Sequence, residues 1–266
     1  MIELFILKLV TGIALMWLLM PRKEVTDGFF RIQMLVALGL CVLLVLLVQP
    51  GSAPQVTSSF PDGMTTGMRT QAGNQLIRFA QLIAAIIAFG GHIVWKLGRR
   101  LPGAIAIYAI AILCLLSLVT ASFASGFNVD ALSFLLSDVA SAAVLGATLT
   151  GMLLGHWYLT TPTMSIGPLS WFTKVLAIAA VGRLLTTSLS LFRFGFASHD
   201  VVHLLWLIVR IVGGILVPIA TAVVVARILK YRNTQSATGV LFAALILVFM
   251  GEMTAALLER DLRIPY

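Results

Sequence analysis

Eight apolar runs, each near twenty residues long, follow one another along the chain with little between them, and that recurrence leaves few folds open. A helix needs roughly 20 predominantly apolar residues to cross a bilayer, and in lipid its backbone must satisfy its own hydrogen bonds. A β-barrel meets the same demand with short strands of alternating polarity, a pattern these runs lack. We therefore expect an all-α, polytopic integral membrane protein. It forms a single transmembrane domain over residues 1–266, with eight transmembrane helices in a bundle. The spans read as about 3–20, 31–49, 77–98, 103–122, 131–157, 171–191, 202–228 and 238–258. Composition agrees, since 60% hydrophobic and 11% charged residues suit lipid and not water. The first run lacks a basic leading region and a small-residue cleavage site, so it reads as a retained helix.

The net charge of +8 would suggest nucleic acid in a soluble protein, but here the basic residues cluster at span ends, and no nucleic-acid partner is expected. Arg22, Lys23, Arg31, Lys96, Arg99, Arg100, Lys174, Arg227, Lys230 and Arg232 fall on one side. The other side holds Arg69, Arg78, Arg193, Arg260 and Arg263, while Lys8, Arg183 and Arg210 lie inside spans. Positive charge prefers the cytoplasm, which sends both termini outward in a cell membrane of the bacterial inner-membrane kind. The one long connection, residues 50–74, is rich in Gly, Ser, Thr and Pro and reads as an outward loop available to a partner. Thr234 to Gly239 reads as a polar loop before the last span. Cys41 and Cys114, both inside spans, read as small buried hydrophobes.

Asp138, Arg183, Arg210 and Glu252 are ionisable residues deep inside spans, each costing about 2.5–3.5 kcal/mol to insert. At about 1.5 Å per residue, Arg183 lies near the midplane and the other three roughly 5–8 Å outward of it. Two acids and two bases at one depth can pair and hold the second half together. They can also form an outward-opening pocket in which Glu252 and Asp138 accept protons and Arg183 and Arg210 hold a ligand's oxygens. His199 and His203 share a face with Arg210 on the seventh span and extend that pocket to the surface. Thr186, Thr187 and Ser190 add hydroxyls beside Arg183, or bond back to their own helix. His199 and His203 stand four apart, but Asp200 replaces the glutamate of a zincin helix and no third ligand is evident, so no metal is expected.

His92 and His156 form a second pair near the cytoplasmic ends of the third and fifth spans. Three roles stay open for them: axial ligands to one b-type haem, contacts to a quinone or proton relay, and plain interfacial histidines. Next to His156, Trp157 and Tyr158 suit the headgroup level.

The eight-span layout with both ends outward, together with Gly251-Glu252 in the last span, resembles the membrane anchor subunits of quinone-linked reductases of the dimethyl-sulfoxide reductase and polysulfide reductase type. That resemblance implies a haem-free quinone site near the outer face. After Glu252 the chain continues Met-Thr-Ala-Ala-Leu-Leu where those families have an aromatic-rich, Arg-containing ending, so Glu252 alone carries over. The leading expectation is a quinone-interacting subunit of an electron-transfer complex. It would have no soluble catalytic domain of its own and would dock an extracytoplasmic redox subunit. A transporter or proton-conducting subunit using the charged layer is the alternative, and a structural or assembly subunit the third.

Overall fold

The computed structural model describes residues 1–48, 71–123, 129–161, 164–195, 200–262 and 264–265. Its helices are α1 (Ile2–Leu19), α2 (Asp27–Leu47), α3 (Gln71–Lys96), α4 (Arg100–Ser122), α5 (Val129–Thr160), α6 (Gly167–Phe194), α7 (Val201–Ile211), α8 (Val217–Lys230) and α9 (Thr234–Leu262). A π-helical segment, Val212–Leu216, joins α7 to α8 into one continuous span. All eight spans are long and apolar enough to cross a membrane, so the protein is an all-α polytopic membrane protein.

Several helices extend beyond the apolar runs, two of them into segments expected as loop. Gln71–Asn74, expected as loop, forms the first turn of α3. The segment from Thr234, also expected as loop, is already α9, because the Asn233 side chain accepts a hydrogen bond from the Ser236 amide at 3.0 Å and caps the helix. Polar residues in these first turns hide the helix from a hydropathy reading. Most of the 50–74 connection lies outside the described residues.

The spans group into two rings of four. In the first, α1 packs on α2, α2 on α3, α3 on α4, and α4 back on α1. In the second, α5 packs on α6, α6 on the α7–α8 span, that span on α9, and α9 back on α5. The rings meet where α1 lies on α5, flanked by the matching contacts of α4 with α5 and of α1 with α9. This is the pattern of an approximate two-fold axis along the membrane normal. Gly12 and Gly146 make the crossing possible: a Cβ on Gly12 would collide with the Ala142 carbonyl, and one on Gly146 with the Gly12 backbone. Small residues are the usual means of bringing helix backbones together in lipid, where no hydrophobic effect pulls helices together.

The π segment has a local cause. Pro218 has no N–H to give the Gly214 carbonyl and crowds it, and Gly213-Gly214 are weak helix formers. The widened turn lets Gly213 and Gly214 pack directly on the backbone of α9 at Leu247 and Gly251.

Gly146→Val should separate the two rings and lower stability by about 2 kcal/mol or more. Gly39→Val, where nothing lies within 4 Å of an added Cβ, should leave it unchanged. Thermal unfolding of the two variants in one detergent checks both.

Candidate functional site

The buried charges gather at the junction of α1 with the second ring. Glu252 on α9 is the hub: its Oε2 accepts from Arg183 Nη2 at 3.1 Å and from Ser141 Oγ at 2.6 Å. Its Oε1 accepts from Arg183 Nε at 3.1 Å and from Arg210 Nη1 at 2.9 Å. Arg183 thus grips the carboxylate with two parallel bonds, the fork geometry that makes arginine–carboxylate pairs strong. Its Nη1 reaches α5, donating to Ser137 Oγ at 2.6 Å and to the Ser137 carbonyl at 3.1 Å. Arg210 Nη2 donates to Thr187 Oγ1 at 3.2 Å, while its buried Nε has no partner. Both arginines are 0% exposed and Glu252 3%.

Arg210 fits only because of the glycines around the π segment. Its Nη1 occupies the space that a side chain on Gly214 would fill, and Gly251 brings α9 up against the same backbone.

Asp138 joins a different partner. Its Oδ1 lies 2.7 Å from Lys8 Nζ on α1, and its Oδ2 accepts from Ser122 Oγ at 2.7 Å. Lys8 also reaches Glu259 Oε2 at 3.4 Å. The expected four-residue layer is therefore six charges in two triplets, Asp138–Lys8–Glu259 and Arg183–Glu252–Arg210. Asp138 and Ser137, adjacent on α5, each serve one triplet. Lys8 escapes a reading by depth alone because its partners come from α5 and α9, far along the chain. Glu259 escapes because α9 runs four residues past the expected span end of 258.

The aligned histidine face is in part outside the described residues, where His199 falls. His203 does face α9 as Arg210 does, lying 3.6 Å from Asp261 Oδ2 and edge-on to Trp206. Asp200 caps α7 by accepting from the Val202 amide at 3.0 Å. Thr186 bonds back to the Arg183 carbonyl at 3.0 Å, whereas the buried hydroxyl of Ser190 has no partner.

His92 and His156 face different neighbours. His92 Nδ1 lies 3.2 Å from the Arg31 carbonyl on α2. His156 is exposed on an open groove of about 510 Å³ between α5 and α9. Met152, Leu153 and Phe242 line its apolar walls, and its other polar lining residues are Gln235 and Thr238, whose hydroxyl donates to the Thr234 carbonyl at 2.8 Å. Gly155 lets the two helices approach closely beside it, since a Cβ there would come within 2.7 Å of Thr238 Oγ1. Trp157 and Tyr158, expected at the headgroup level, tie chain segments together. The indole of Trp157 donates to Thr26 Oγ1 at 2.8 Å, and the buried Tyr158 hydroxyl donates to the Ser165 carbonyl.

The two sites differ in what they offer chemically. Every oxygen of Glu252 is occupied by donors from within the protein, whereas His156 presents a titratable ring to an apolar groove. Among the described residues no cluster of three or more His, Cys, Asp or Glu has the arrangement of a metal site.

Glu252→Gln leaves two buried guanidinium groups without their counter-charge, so stability should fall by about 3–5 kcal/mol, read as a lowered thermal midpoint in detergent. Lys8→Met and Asp138→Asn should each destabilise, but the double variant should recover at least about 1 kcal/mol of the summed loss, the coupling expected of a direct pair. No protein-family model, no curated protein and no solved structure matches the chain.

Proposed function

We propose that the protein is a quinone-interacting membrane subunit of an electron-transfer complex, with the quinone head group held at His156 between α5 and α9. The observation that carries this reading is the groove itself. Its volume falls within the roughly 300–1,000 Å³ of small-molecule sites. Its walls suit an isoprenoid tail, it opens sideways between helices, and its polar groups are the imidazole, an amide and a hydroxyl. A quinol losing two electrons also releases two protons. The neutral imidazole of His156 accepts one through its unprotonated ring nitrogen, and water at the open mouth of the groove takes the other. The electrons pass to a redox centre of a partner subunit. On this reading the partner docks at the end of the bundle where the basic residues cluster, while Glu252 holds the second ring together and Asp138 holds it to α1, neither touching the quinone.

The test is an organic extract and an absorption spectrum of the purified protein. We expect a co-purifying quinone in the wild type and at least a tenfold loss of it in His156→Ala, with the thermal midpoint unchanged. Absence of quinone from the wild type, or equal retention in the variant, rejects the assignment. A Soret band lost on changing His156 would favour haem ligation instead.

One feature favours the alternative of ion or proton translocation: the π segment beside Arg210, a place where a helix can change its winding next to a buried charge. Proton or substrate flux in proteoliposomes that depends on Asp138 or Glu252 would support it. Quinone retention in the same preparation decides between the two readings.

A further inference from the structure

At the opposite end of the second ring, where the chain termini lie, α5, α6 and Pro265 beyond the end of α9 line a second and much smaller recess of about 20 Å³. We propose that this notch binds the phosphate of an anionic phospholipid headgroup, with the acyl chains running down the outer face of α5 and α6. The recess is lined by Ser133, Thr186, Ser190 and Arg193, with Leu136 and Leu189 completing its lipid-facing side.

Three observations on different residues converge here. Arg193, in the last turn of α6, supplies a permanent positive charge at the interface, and its Nη1 donates to Ser133 Oγ across the notch at 3.0 Å, which holds the guanidinium at the rim. Ser190, one turn deeper, is 5% exposed, and its hydroxyl has no hydrogen-bond partner. A buried hydroxyl left unpaired costs about 1–3 kcal/mol, so this group stands ready to donate to an oxygen entering the recess. Below the notch, Leu136, Leu185 and Leu189 are exposed to the hydrocarbon and offer a track for acyl chains.

The size sets the stoichiometry. About 20 Å³ admits one water-sized group, so one non-bridging phosphate oxygen enters to meet Ser190 while the rest of the phosphate stays at Arg193. A quinone ring does not fit. The fixed cation separates this site from the His156 groove, whose polar groups carry no permanent charge.

Native mass spectrometry of the full-length protein, incubated with equal amounts of phosphatidylglycerol and phosphatidylcholine, tests the proposal. Wild-type protein should retain phosphatidylglycerol about tenfold over phosphatidylcholine, the scale of one charge-assisted contact. Arg193→Gln should abolish that preference, Arg193→Lys should restore most of it, and Ser190→Ala should reduce it about threefold. Millimolar inorganic phosphate should not displace the lipid. Equal retention of the two lipids, or a preference unchanged in both Arg193→Gln and Ser190→Ala, overturns the site. Displacement by inorganic phosphate, with no lipid preference, would assign the notch to a free anion and overturn the lipid assignment.

Discussion

A carboxylate held between two guanidinium groups organises the second ring of this protein. In lipid an unpaired charge finds no water, so Glu252, Arg183 and Arg210 must find one another, and each contact fixes a helix. Arg183 ties α6 to α9 and, through Ser137, to α5. Arg210 ties the seventh span to α9 and, through Thr187, to α6. Two of the largest fully buried side chains in the protein are these arginines, so their stems fill the volume that leucine or phenylalanine fills in the first ring.

The two rings share an order of helices and differ in chemistry. The first is held by Trp17 and Gln33 and by a network of neutral groups, in which Gln81 donates to Ser117 and Cys114 and Thr11 to the Cys114 carbonyl. Among its described residues only Lys8 is a fully buried charge, and it pairs with carboxylates of the second ring. The electrostatic bond and the glycine crossing therefore lie on the same pair of helices, α1 and α5. One sets how closely they approach and the other which residues must face across.

The spans were legible in the sequence because hydrocarbon imposes one requirement on every crossing segment, a run of apolar residues of fixed length. The second-ring pairing was legible in outline, since two acids and two bases at similar depth have reason to meet. Partner choice was not. Depth along a helix follows from counting residues, but adjacency depends on which helices pack together, and nothing local in α1 or α5 says that they touch. Thus Asp138 found Lys8 in place of an arginine, and Glu259 joined from beyond the expected end of its span. His156 stood out as a residue, but the groove it lines forms only where α5 and α9 cross, a crossing that Gly155 against Thr238 allows.

The two triplets bear on the membrane's electric field. Three cations and three carboxylates sum to no formal charge, although Glu259 lies seven residues, about 10 Å, outward of Glu252 on α9. Displacing one elementary charge across the membrane costs about 2.3 kcal/mol per 100 mV, but a cluster of zero net charge moving as a body does almost no such work. The network can thus lie in the path of the transmembrane potential without being pulled by it.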